Sequence, residues 1–195
     1  RLREQTQFEL MNVQRRVGTT FIVVTHDQDE AMTMATRVAV MDGGRIVQVA
    51  TPPELYENPA TRLVASFIGD ANQFVGKVES VAGGSVAVAS PELGISLRAT
   101  AREPVAVGTE VAVAVRPEKI DVREQAPEAA DNVLRGAVVQ IAYLGDISLY
   151  HVRTSGGAIV RVQETHAERS SDPHYAVGDE LHLVWPAASA LVLTA

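Results

Sequence analysis

The chain has 195 residues, of which 46% are hydrophobic and 21% charged, and 24 acidic against 17 basic residues leave a net charge of −7. This composition excludes a disordered chain, and it sets nucleic acid aside as the main partner, because phosphate backbones are held by clustered Lys and Arg. Cysteine is absent, so there is no disulfide framework or thiolate metal site, and no apolar run approaches the ~18 residues of a membrane span.

The length exceeds the ~100–150 residues typical of one domain and fits two modest ones. The opening Arg1-Leu-Arg-Glu-Gln5 is polar and not a signal peptide; starting without methionine, it points to a chain cut from a longer one. From Leu2 to Val17, Leu10, Val13 and Val17 recur at helical spacing beside Phe8 and Met11, and Gly18 supplies a stop. Phe21 to Thr25 is a β-branched apolar run and predicts a strand buried on both faces, as in a parallel sheet. Asp27 is placed to cap a second helix through Glu30, Ala31, Met34 and Ala35. Arg37–Met41 and Arg45–Val49 flank Asp42-Gly43-Gly44, a hairpin signal. Short helices come next, at Pro53–Glu57 and Thr61–Ile68.

After Gly69 helical periodicity gives way to alternating Val, Ala and Ser with glycine turns. Strands are predicted at Phe74–Val81, Ser85–Ala89, Ile95–Ala99, Glu110–Val115, Leu134–Tyr143, Leu149–Thr154, Ile159–Val162, Glu180–Trp185 and Ala190–Leu193. The expected domains are 1–70, an α/β part, and 71–195, all β. An internal echo divides the second: Ala106-Val-Gly-Thr-Glu110 is answered by Ala176-Val-Gly-Asp-Glu180, and Gly76-Lys-Val78 by Gly136-Ala-Val138. Two related halves, about 73–123 and 132–195, each suit a small barrel of the OB type that hides its own edges.

The sharpest candidate for chemistry is Val24-Thr-His-Asp27, where the predicted strand meets a helix. Ligands of open α/β sheets bind outside the carboxyl ends of the strands, so His26 stands where a substrate would arrive, as a phosphate contact or proton carrier. Spacing alone favours equally a structural His-Asp pair that caps the helix. His151, His166, His174 and His182 do not pair at close helical spacing and read as scattered histidines, with no metal site expected. Gly145-Asp146 reads as a turn, and Tyr143 and Tyr150 as aromatic residues too sparse for base stacking.

Longer motifs decide between the readings of His26. Phe21-Ile-Val-Val-Thr-His-Asp-Gln-Asp-Glu-Ala-Met-Thr-Met-Ala35, Arg37-Val-Ala-Val-Met-Asp-Gly-Gly-Arg-Ile46, Pro53-Glu-Leu-Tyr-Glu-Asn-Pro59 and Val64-Ala-Ser-Phe-Ile-Gly69 resemble the switch region of ABC importer ATPases and the segments downstream of that switch. Arg116-Pro-Glu-Lys-Ile120 and Tyr143-Leu-Gly-Asp-Ile-Ser-Leu-Tyr-His-Val152, with the ending from Gly178 through Trp185 to Thr194, resemble their transport-associated OB (TOBE) domain, closest to putrescine and spermidine importers. Thr36 and Ala50 depart from the pattern outside the site.

The resemblance implies that His26 is the switch histidine, contacting the γ-phosphate of ATP and helping to position the attacking water. It implies ATP and Mg2+ as cofactors of the intact protein, a homodimer, permease subunits and, indirectly, a substrate-binding protein as partners, and a place on the cytoplasmic face of the membrane. A phosphate-binding loop needs Gly-Lys followed by Ser or Thr, whereas Lys77 and Lys119 precede Val78 and Ile120. The family's signature loop and Walker B acids are missing too, so the chain alone is expected to be inactive. The rival expectation is a free-standing OB-type sensor of a small anion such as molybdate.

Overall fold

The computed structural model describes residues 2–166 and 173–194, which divide into two compact units, Arg1–Ile68 and Gly69–Ala195. In the first, α1 (Leu2–Val17) ends at Gly18, whose φ of 70° lets its N–H reach Gln14 O at 2.9 Å. Arg15 and Arg16 complement the negative end of its dipole. Its apolar stripe, Phe8, Leu10, Val13 and Val17, is exposed. The helix α2 (Gln28–Met34) precedes a hairpin of β1 (Val38–Asp42) and β2 (Arg45–Ala50). Gly43 and Gly44, at φ 52° and 76°, form the two-residue turn, which only residues free of a Cβ adopt without strain.

Thr51 and Thr61 cap α3 (Pro52–Glu57) and α4 (Arg62–Phe67) by accepting from Glu54 N and Val64 N. Leu55, Val64, Ile68, Val38, Val40 and Ala50 make the small core. Gln48 pins the intervening turn, its amide oxygen accepting from Ala60 N at 2.7 Å and its amide nitrogen donating to Asn58 O at 3.0 Å.

The strand expected at Phe21–Thr25 does not form. That run carries no regular secondary structure, with Ile22 and Val24 90% and 96% exposed. The run is apolar enough for a sheet interior, but among the described residues of this unit the only strands are β1 and β2, which pair with each other.

The second unit holds β3 (Asn72–Ala82), β4 (Ser85–Ser90), β5 (Ile95–Ala101), β6 (Glu110–Val115), β7 (Asp121–Arg123), β8 (Asn132–Tyr143), β9 (Ile147–Thr154), β10 (Ile159–Thr165), β11 (Glu180–Trp185) and β12 (Ala190–Leu193). Their alternating side chains, inward Val86, Val88, Leu97, Val113, Val152, Val162, Leu183 and Trp185 among them, fill one continuous core. The halves are not separate barrels, contrary to expectation. β3 to β6 close a barrel only with β12, which lies antiparallel to β6 and parallel to β5. β7 crosses the other way, pairing with β11 at the edge of a five-stranded sheet ordered β10-β9-β8-β11-β7. Each half thus lends its last strand to the other, after a single 3-10 turn at Pro117–Lys119 or Ala187–Ser189.

The residues of the echo occupy matching places. Val78 N donates to Thr109 O at 3.0 Å while Gly108 N donates to Val78 O at 2.8 Å, and Val138 does the same with Asp179 and Gly178, both at 2.9 Å. Beside each lies a register shift, at Val78/Ser80 and at Val138/Gln140. Gly76 and Gly136 are glycine because a Cβ would come 2.3 Å from Ala89 O in one case and 2.6 Å from a Val152 methyl in the other.

Candidate functional site

His26 sits in the bend between the apolar run Phe21–Thr25 and α2. Thr25 Oγ1 accepts from Asp27 N at 3.0 Å, and Asp27 Oδ1 accepts from Glu30 N at 2.9 Å, starting the helix. These two bonds fix the backbone on either side of the imidazole and leave the ring out of the capping, so the cap is Asp27 alone. The His26 side chain is exposed and makes no hydrogen bond or ion pair with another described residue. It is held by its backbone and open to a group arriving from solvent.

A second grouping was not legible from sequence spacing. Glu164, His166 and His174 each offer a ligand-type atom within 4.8 Å of the others. Glu164 and His166 come from the end of β10 and the residue just past it, and His174 from the segment leading to β11, so the fold and not a local repeat assembles them. His174 Nδ1 lies 2.9 Å from Glu164 Oε1. Tyr150, fully buried on β9, donates to Glu164 Oε2 at 3.0 Å, and Ser148 Oγ lies 2.8 Å from His166 Nε2. His166 Nδ1 is buried without a hydrogen-bond partner among the described residues.

Burial pushes the Tyr150 hydroxyl above its ordinary pKa; a hydrogen bond with Ser148 opposes the rise and Glu164 adds to it. Tyr175 is raised by burial too, and by the charges of Glu164 and Glu124. His151 on β9 is outside this group, and His182 Nδ1 lies 3.3 Å from Glu124 O.

The other candidates resolve simply. Gly145-Asp146 is the β8–β9 hairpin turn, with Gly145 at φ 99° and Leu144 N bonded to Ile147 O at 2.9 Å. Tyr150 has no exposed face on which a base could stack. Tyr143 lies beside His166, ring centroids 5.5 Å apart. No helix among the described residues is long and apolar enough to cross a membrane.

Comparison with known proteins places this geometry in context. Residues 113–193 match the family model described as a TOBE domain, running from β6 to β12. Over its whole length the chain is 42% identical to part of the putrescine transport ATP-binding protein PotG of Escherichia coli (strain K12), covering 52% of that protein. It is 45% identical, over 99% of its length, to part of the spermidine/putrescine import ATP-binding protein PotA of Rubrobacter xylanophilus, covering 50% of it. The chain spans about half the length of these curated relatives. The resemblance to importer ATP-binding proteins carried by the motifs is therefore found along the entire sequence.

Among solved structures, the cytoplasmic molybdate-binding protein ModG matches at a TM-score of 0.55 and 20% identity, over 64% of this chain and 96% of that one. That likeness establishes the OB-like fold of the β unit and carries no ligand with it.

Proposed function

We propose that this chain supplies part of the ATP-hydrolysing subunit of an ABC importer whose cargo is a polyamine, putrescine or spermidine. What supports the reading is one observation above the others: the match to polyamine-import ATP-binding proteins spans 99–100% of the chain, both units included, and not the β unit alone. In this reading residues 1–70 complete an ATPase domain and residues 71–195 form its regulatory β domain. ATP and Mg2+ are cofactors of the intact subunit, which works as a homodimer beneath permease subunits on the cytoplasmic face of the membrane, supplied by a substrate-binding protein.

His26 is then the residue that meets the γ-phosphate. An imidazole held by its backbone and unpaired in its side chain suits a role that begins when nucleotide arrives, orienting the attacking water and placing hydrogen-bond capacity where phosphoryl charge develops. The exposed run Phe21–Val24 fits the same reading, since its two apolar faces suit the interior of a parallel sheet built with strands of the remaining ATPase domain. The phosphate loop, signature and Walker B acids are supplied by that domain, so the 195 residues alone do not turn over ATP.

The experiment is His26→Ala in a full-length subunit containing this chain. Turnover falls by at least ~100-fold while nucleotide affinity stays within about threefold, because the lost interaction belongs to the transition state. Near-normal turnover would remove His26 from the mechanism.

A further inference from the structure

We propose that Glu164, His166 and His174 form a binding site for a divalent transition metal of the zinc class. Two imidazoles and one carboxylate, with no sulfur and a single anionic oxygen ligand, suit zinc, where calcium and magnesium ask for more oxygen. Each ligand has one atom to offer and, in two of the three, the other atom already held. Tyr150 holds Glu164 Oε2 and leaves Oε1 for the ion, while Ser148 holds His166 Nε2 and leaves Nδ1 buried without a hydrogen-bond partner among the described residues. His174 presents Nδ1, now 2.9 Å from Glu164 Oε1.

This is the arrangement by which an outer layer of hydrogen bonds fixes the tautomer of a metal-binding histidine and the orientation of its carboxylate. Zinc bonds of about 2.0–2.1 Å put ligand atoms roughly 3.3 Å apart, and three side chains already within 4.8 Å reach that by rotation. The metal enters between His174 and Glu164 in place of the proton they share. His174 is 54% exposed, which gives the ion a path in, and three protein ligands leave a fourth position for water. The site is independent of ATP chemistry, since it lies wholly in the β unit.

The test is calorimetric titration of zinc chloride into the tag-free 195-residue chain, with cobalt(II) absorption as a reporter of coordination. Saturable binding of one ion per chain is expected, weakened at least tenfold by His174→Ala or by Glu164→Gln and unchanged by His182→Ala. Tyr150→Phe, which keeps the ring and removes only the hydrogen bond to Glu164, weakens it by about tenfold. Circular dichroism of each variant separates lost binding from lost fold, and Glu164→Gln remains informative if a histidine variant does not fold. Absence of saturable binding, or binding that survives the loss of His166 and His174 together, would overturn the proposal.

Discussion

Asn72 and Asn132 open β3 and β8, and each grips a backbone in the opposite half of the β unit. Asn132 Oδ1 accepts from Arg98 N at 2.7 Å, and its Nδ2 donates to Arg98 O at 2.9 Å and Trp185 O at 3.2 Å. Asn72 does the same with Arg161, accepting at 2.9 Å and donating at 2.8 Å, and reaches Val115 O at 3.4 Å. A side-chain amide is the one uncharged group that offers donor and acceptor side by side, as a strand edge does. Asn132→Ala leaves those buried and partly buried backbone groups unpaired, at a cost of about 1–3 kcal/mol by chemical denaturation. A loss below about 0.5 kcal/mol would mean that the clamp is incidental. The sequence does not announce these roles, since an asparagine at a strand start reads as a turn residue.

The same limit applies to the two candidate groupings. The position of His26 before a capped helix was legible, because Thr25, Asp27 and Glu30 act within a few residues of it. Glu164, His166 and His174 were not, since their meeting depends on how β10 and the approach to β11 are folded together. The paired contacts of Ser148 and Tyr150 with them come from the neighbouring strand β9, at positions no spacing rule selects.

At the scale of elements, all nine strands predicted in the β unit form, because Val-rich alternation is a local signal. Where β12 and β7 go is not local. Three residues of β7, Asp121–Arg123, are too few to stand out in sequence and gain their place only by pairing with β11. The same physics removed the strand at Phe21–Thr25, since an apolar run forms a strand only against a neighbour.

The crossing of β12 has a measurable consequence. Ala190, Val192 and Leu193 are buried, and the strand bridges β5 and β6, so ending the chain at Ser189 opens the barrel and exposes its interior. Burial of a Val or Leu side chain is worth about 1.5–3 kcal/mol, so the truncated chain should lose several kcal/mol and its sharp thermal transition. An unchanged midpoint would show that the barrel closes without its last strand.

For the whole molecule, the division near residue 69 marks a change in how the chain is stabilised. The first unit keeps a small core of one hairpin and short helices, with the apolar stripe of α1 and the run Phe21–Val24 exposed, whereas the second seals its own core. Composition and texture made that change legible in sequence, and the motifs made the relationship to importer ATP-binding proteins legible. The exchange of strands between the β halves was not, because it requires contacts between residues far apart in sequence, such as Val115 with Ala190.

The central proposal is that the chain is part of a nucleotide-driven subunit and lacks a complete nucleotide site of its own. It is tested most directly by calorimetric titration of magnesium-ATP into the purified 195-residue chain, beside a full-length subunit that contains it. The account predicts no saturable heat from the 195-residue chain and clear binding by the full-length protein. Tight binding by the 195 residues alone would contradict it, because a nucleotide site would then exist without a phosphate-binding loop.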